Sequence, residues 1–152
     1  MPTGNKPREG FDAWHGPVLL DTCAWIWLVD GHASMAKAPC LPSVESAARD
    51  GRLLLAPISM WEVATKAAKG RLTLSLPVNE WIHQGRRLAR LIDAPMSADI
   101  VIESAALPGS FHGDPADRLV VATGRVLNAA IVTGDEKMLA YALDGFIKAW
   151  RV

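Results

Sequence analysis

"DPADRLVVATGRVLNAAIVTGD", residues 114–135, reads as a helix that runs directly into a strand. Asp114 suits a helix N-cap, Pro115 the first helical position, and Asp117 a place where a carboxylate meets free amides. The helical pattern covers roughly 115–128, and "AAIVTGD" (129–135) is the most strand-like run in the chain, closed by an acid. Outward from this pair the same alternation recurs. "PVLLD" (17–21) and "RLLLAP" (52–57) are short apolar runs, "RLARLIDAP" (87–95) is a third interrupted by basic residues, and "GFIKAW" (145–150) is the last. Helical patterns fall between them at about 43–50, 59–69, 79–86, 97–106 and 136–142. Strands alternating with helices of this length predict βαβ units and an α/β fold around a parallel sheet.

The 152 residues suit one domain, and an apolar fraction of 50% supplies its core. We expect residues 1–16 to be a flexible polar tail and residues 17–152 a single domain. The first residues carry charge but no apolar core of a secretory signal, and no apolar stretch reaches the roughly 18 residues needed to span a bilayer. Cys23 and Cys40 form neither a disulfide framework nor a metal-binding spacing, which is the pattern of an intracellular, cytoplasmic chain with reduced thiols.

The net charge is zero, which argues against a uniformly basic nucleic-acid binder, but the charges are unevenly distributed. From Lys66 to Arg90 there are six basic residues (Lys66, Lys69, Arg71, Arg86, Arg87 and Arg90) and one acid, Glu80. From Leu91 to Asp117 there are five acids and no lysine or arginine. A basic arm beside an acidic region is suited to steering a polyanion toward a cation-loaded pocket. Two solvated helix faces of opposite charge would leave the same pattern.

Topology brings the acids toward one another. In open parallel sheets, ligands bind outside the carboxyl ends of the strands. Asp21 closes the first strand, Asp135 lies just past "IVT", and Glu62 is near the start of the helix after "LLLAP". Asp114 and Asp117 reach the same end only if the loop "PGSFHG" (108–113) folds over the top. Each acid also has a structural use. "SMWE" (59–62) is a capping box in which Glu62 would reach back to the Ser59 amide, and Asp135 can cap the helix that follows it. Asp21 is harder to account for in that way, since an acid between "VLL" and "CAWIWLV" is costly unless paired or metal-bound. Carboxylates converging with no lysine or arginine near them in sequence repel one another, and a hard divalent cation relieves that. Oxygen donors favour Mg²⁺ or Mn²⁺, and the four histidines show no spacing for zinc. Carboxylate-held Mg²⁺ suits attack of water on a phosphodiester.

"LLDTCAWIWL", "ISMWEVATKAAKGRL", "DPADRLVVATG" and "IVTGDEKM", in this order and at these separations, resemble a PIN-domain ribonuclease, and more closely the VapC-type toxins of bacterial toxin–antitoxin pairs. The likeness runs from Val18 to Trp150. It implies a PIN-like α/β/α sandwich with a mostly parallel sheet, RNA cleavage with Mg²⁺ or Mn²⁺, a homodimer, and a small antitoxin covering the acidic site. By the same resemblance the catalytic acids fall on Asp21, Glu62, Asp117 and Asp135. Metal ligation falls on Asp21, Asp117 and Asp135, with Asp114 in an extra acidic place, and Thr22 and Thr133 match supporting hydroxyls. Where many members carry asparagine two places after the first acid, this chain has Cys23; Gly124 stands where alanine is common, a difference expected to matter little. Lys66, Lys69, Arg71, Arg86 and Arg87 are the residues expected to bind RNA. A non-catalytic interaction domain and a stand-alone nuclease without an antitoxin remain as alternatives. A receiver domain would need a paired acidic stretch near its start, and a haloacid-dehalogenase-type phosphatase an acid at position 23; neither is present.

Overall fold

Five short strands, none longer than four residues, form the only sheet among the described residues of the computed structural model, which are 10, 11 and 13–152. In chain order the elements are β1 (Val18–Leu20), α1 (Thr22–Asp30), α2 (Ala33–Ala36), α3 (Leu41–Arg49), β2 (Leu53–Leu55), α4 (Pro57–Ala68) and α5 (Val78–Leu88). They continue with β3 (Ile92–Asp93), α6 (Ala98–Ala105), α7 (Pro115–Leu127), β4 (Ala130–Thr133), α8 (Glu136–Leu143) and β5 (Lys148–Arg151). The spatial order is β3-β2-β1-β4-β5 and every pairing is parallel, so the sheet is wholly rather than mostly parallel. Each strand reaches the next through at least one helix, as parallel pairing requires.

The strands are continuous apolar runs because both faces of the sheet are covered. Successive side chains point to opposite faces, and the core divides accordingly. Val18, Leu20, Leu53, Leu55, Ala130 and Val132 join Trp25, Val44, Val63 and Trp81 on one side. Leu19 and Ile131 join Ile100, Val120, Val121, Met138 and Tyr141 on the other. Complete burial of a large apolar side chain contributes about 1.5–3 kcal/mol, so these two layers supply most of the stabilisation. This is the α/β/α sandwich expected from the sequence.

The sequence reading missed α1. "TCAWIWLVD" has apolar residues all round, so it lacks the one-sided stripe that marks a surface helix. Trp25 is fully buried with its ring edge on Trp81, centroids 4.9 Å apart, while Trp27 is only partly buried and stacks on His32. The third expected strand, 87–95, is also corrected. Helix α5 extends to Leu88, and only Ile92 and Asp93 pair with β2. Gly124 matters more than expected. A Cβ there would lie 2.5 Å from Ile131 Cδ1 and 2.8 Å from its Cγ1, so the missing side chain is what lets α7 lie against β4.

Of the segment expected as a tail, residues 1–9 and 12 lie outside the described residues. Phe11 packs edge-on against Trp150 at 5.3 Å, Trp14 Nε1 donates to Pro17 O, and Lys148 Nζ sits 3.6 Å over the Trp14 ring. Among the described residues, no helix is long and apolar enough to cross a membrane, and both cysteines are free.

Candidate active site

The chain leaves β1 toward β2 and β3 on one side, then returns to add β4 and β5 on the other. The crevice between the carboxyl ends of β1 and β4 is therefore the topological switch point, where ligands bind in sheets of this kind. Asp21 follows β1 and Asp135 lies two residues past β4, so topology alone places both at that crevice. It opens into a cavity of about 380 Å³ whose lining includes Asp21, Glu62, Asp114, Asp117 and Asp135. All five acids singled out in the sequence meet there.

Two of these acids are fixed by strand and helix together. Asp21 is the N-cap of α1: its Oδ1 accepts from the Ala24 amide at 2.7 Å, and its Oδ2 accepts from the Thr133 hydroxyl. Asp135 is the N-cap of α8, with Oδ1 accepting from the Lys137 and Met138 amides at 2.8 and 2.9 Å. The Asp135 amide in turn donates to Thr133 Oγ1 at 3.0 Å, so one buried hydroxyl ties the two acids together. Thr133 thus takes the supporting position expected of it. Thr22 does not touch a carboxylate; its hydroxyl donates to Ser59 Oγ at 3.0 Å and joins α1 to α4.

The other pair arrives on a loop. Asp114 is the N-cap of α7, accepting from the Asp117 amide at 3.1 Å, and Asp117 stands in the first turn. The loop before it folds over the sheet end because Arg118 holds it there. Arg118 Nε donates to Ser104 O at 2.8 Å, and Nη1 donates to Phe111 O and His112 O at 3.0 and 3.2 Å. His112 Nδ1 accepts from the Asp114 amide, and its Nε2 lies 3.3 Å from Asp117 Oδ2 in a contact too poorly aligned to count as a hydrogen bond. The sequence reading did not give Arg118 this role, although an arginine directly after an acidic helix start was the available signal.

Glu62 is not part of a capping box. Helix α4 starts at Pro57, so Ser59 lies inside it, and its buried hydroxyl is taken by Thr22. Glu62 instead pairs with Lys66 at 3.0 Å, and Lys66 lines the cavity. The reading that no lysine or arginine lies near the acids in sequence is therefore corrected: Lys66, one turn on along α4, stands beside Glu62. Partial burial lowers the Lys66 pKa, but its hydrogen bond to Glu62 and the Glu62 charge outweigh this and leave it raised. Lys69 and Arg71 line an adjoining cleft. Arg86 and Arg87 line neither cleft, and Arg86 is forked onto Asp93 at 2.6 and 3.1 Å.

One lysine does not neutralise five carboxylates. Burial, opposed by its hydrogen bonds from Thr133 and Ala24 and reinforced by the charges of Asp135 and Glu62, pushes Asp21 up to about 6. Burial and then the charges of Asp114, Asp135, Glu62 and Asp21 push Asp117 up to about 7. Three helix N-termini, those of α1, α7 and α8, face this group and offset part of the repulsion. The donors are all oxygen, as Mg²⁺ and Mn²⁺ prefer. One oxygen each of Glu62, Asp114, Asp117 and Asp135 has no hydrogen-bond or ion-pair partner among the described residues. The side chains fit a hard cation in chemistry. Among the described residues no three are already gathered into one coordination sphere, since several are turned onto Lys66, His112 or their own helix amides. Cys23 also lines the cavity, and partial burial followed by the Asp21 charge raises its pKa.

Known proteins are similar to this chain in sequence and in fold. A ribonuclease, VapC22 of Mycobacterium tuberculosis, is 30% identical over 135 residues, which is 88% of this chain and 98% of that protein. The VapBC2 complex of Rickettsia felis, solved with a DNA fragment from its promoter, contains a chain of similar fold. Its TM-score is 0.63 at 16% identity, covering 88% of this chain and 97% of that one. Residues 18–143 match the PIN domain, and with this match over most of its length the chain belongs to the PIN-domain family.

Proposed function

We propose that this protein is a divalent-metal-dependent endoribonuclease and the toxin of a toxin–antitoxin pair, acting as a homodimer whose antitoxin covers the acidic crevice. The observation that carries the reading is the switch-point cavity lined by five carboxylates, two of them raised to about 6 and about 7 by burial and mutual charge. The identity with VapC22, a ribonuclease, supports the reaction class, and the VapBC2 complex supports the kind of partner.

Asp21, Asp117 and Asp135, with Asp114 beside them, are the residues that would hold Mg²⁺ or Mn²⁺, and Glu62 is the fourth catalytic acid. Such an ion supplies a polarised water and shields the charge of the phosphodiester under attack. The chain does the remaining work. Thr133 fixes Asp21 and Asp135 relative to each other, Arg118 holds the loop that carries Asp117, and the ion pair with Lys66 orients Glu62 at the cavity. Lys66, Lys69 and Arg71 supply positive charge along the approach to the acids.

Cleavage of RNA by the purified protein in Mn²⁺, followed by the same assay in excess EDTA, tests the reading. Loss of cleavage in EDTA is expected, and undiminished cleavage would overturn the metal mechanism. Co-purification with the product of a short adjacent reading frame tests the antitoxin, and the absence of such a frame would leave a stand-alone nuclease.

A further inference from the structure

Trp61 sits on α4 immediately before Glu62 and is 60% exposed, whereas Trp25, Trp81 and Trp150 are buried and Trp14 and Trp27 partly so. A tryptophan left open to water forfeits the burial that would stabilise the fold, so its position calls for another use. Helical spacing gives α4 two adjacent stripes. Glu62 and Lys66 turn toward the carboxylate cavity. Ile58, Trp61, Thr65 and Lys69 turn toward a second cleft of about 460 Å³, closed on the far side by Pro115 and joined by Arg71. The two clefts share Glu62, Lys66 and Asp114, so they form one continuous trough. Lys69 and Arg71 make no ion pair among the described residues.

We infer that Trp61 is a stacking platform for a base of single-stranded RNA next to the bond that is cut, with Lys69 and Arg71 on the phosphates beyond it. This rests on the ribonuclease reading above. A flat aromatic face beside free cations is the combination that binds single strands, the ring taking the base and the cations tracking the backbone. Proline at the start of α7 gives the opposite wall an apolar face without an amide donor, which suits the flat side of a base. The placement fits the chemistry: Trp61 precedes Glu62 on α4, so a base held on its ring would lie where the trough opens onto the acids. Lys69 and Arg71 make no ion pair among the described residues and so are available to backbone phosphates, and a divalent ion held by the neighbouring acids would offset their repulsion of a phosphodiester.

The test uses the full chain with Trp61→Ala and Trp61→Phe. Because the side chain is exposed, both variants should melt as the parent does. Binding is read with Asp21→Asn as background, using oligoadenylate and an abasic oligonucleotide of equal length. Trp61→Ala should weaken oligoadenylate binding by about tenfold or more and leave abasic binding unchanged. Trp61→Phe should retain binding within a few-fold but lose the quenching of tryptophan fluorescence that stacking produces. Equal loss on both oligonucleotides, or no loss on either while the parent still cleaves cellular RNA in Mn²⁺, would overturn the stacking role alone. A Trp61→Ala variant that binds RNA normally but no longer holds its antitoxin would assign this face to the protein partner instead. Failure of the parent to cleave any RNA would overturn the ribonuclease reading and this inference with it.

Discussion

The two sides of the carboxylate crevice are built by different means. Asp21 and Asp135 stand where strands end, are tied to each other through Thr133, and spend one oxygen on the amides of the helices they cap. Asp114 and Asp117 stand at the tip of a loop and a helix, and their height depends on three hydrogen bonds from Arg118 to loop carbonyls. The strand side is positioned by the sheet itself, with Thr133 and the helix amides as further supports. The loop side needs a dedicated clamp, and its acid is the one whose pKa is raised further. Substitutions should therefore act differently on the two sides.

The largest effect is expected at Asp21. Replacement of Asp21 by asparagine should abolish cleavage, a loss of about a thousandfold or more for a ligand of the catalytic ion. Asparagine caps a helix as well as aspartate does, and one charge fewer relieves the crowding. The metal-free Asp21→Asn protein should thus melt at or above the parent temperature, whereas Asp21→Ala should lose about 1 kcal/mol with the cap. Thermal melts in EDTA, then with Mn²⁺ added, make the comparison. If the asparagine variant melts clearly lower without metal yet keeps the full Mn²⁺ stabilisation, Asp21 is a structural residue.

On the loop side, the clamp is the vulnerable part. Arg118→Ala leaves three carbonyls without their charged donor and should lower cleavage about tenfold to a hundredfold, with about 1–3 kcal/mol lost in stability. Arg118→Lys should not rescue it, because one ammonium cannot reproduce a fork onto Ser104, Phe111 and His112. Full activity in Arg118→Ala would show that the loop needs no clamp and would remove the contrast between the two sides.

A milder probe reads both sides at once. A carboxyl whose pKa is higher in the folded than in the unfolded chain binds protons more tightly when folded. Its stabilisation is complete below the unfolded value near 3.8 and is lost as the pH climbs through about 6 for Asp21 and about 7 for Asp117. The metal-free protein should therefore become less stable between about pH 4 and pH 7. Asp117→Asn should remove the upper part of that decline, and Asp21→Asn the lower part. Saturating Mn²⁺ should flatten it in the parent, since the cation replaces the protons. Denaturant melts across the range, with and without EDTA, decide this, and a flat metal-free profile would mean that the acids do not crowd.

The same contrast explains how much was legible in the sequence. The strands, their parallel pairing and the address of Asp21 and Asp135 follow from local apolar runs and topology, which short windows encode well. The cavity's dependence on Arg118 does not, because that residue acts on carbonyls 6 to 14 positions away that carry no side-chain signal. The structural alternative for Glu62, a capping box with Ser59 three residues before it, is not what the chain uses. The chain begins its helix two residues earlier, at Pro57, and the serine is used by Thr22 instead. Arg86 and Arg87 are close to Lys69 and Arg71 in sequence, but they lie on α5 and do not line the trough beside α4. Charge runs locate residues along the chain without saying which side of a helix they occupy.

The smallest effect is expected at Asp114, and it measures how many acids the loop side contributes. Asp114 is exposed, and one of its oxygens is committed to the Asp117 amide. Asparagine would keep that cap, so Asp114→Asn should change stability by only a few tenths of a kcal/mol. It would also remove the largest charge acting on Asp117, whose pKa should then fall toward the ordinary range. With Asp21, Asp117 and Asp135 still in place to hold the ion, cleavage and Mn²⁺ affinity should drop only about tenfold, less than for Asp117→Asn, because one Asp114 oxygen is already committed to the helix cap. Cleavage rates and Mn²⁺ titrations of Asp114→Asn beside Asp117→Asn provide the measurement. A loss for Asp114→Asn as deep as that for Asp117→Asn would mean that the loop supplies two ligands to the strands' two, and that the crevice is symmetric in chemistry although it is not symmetric in construction.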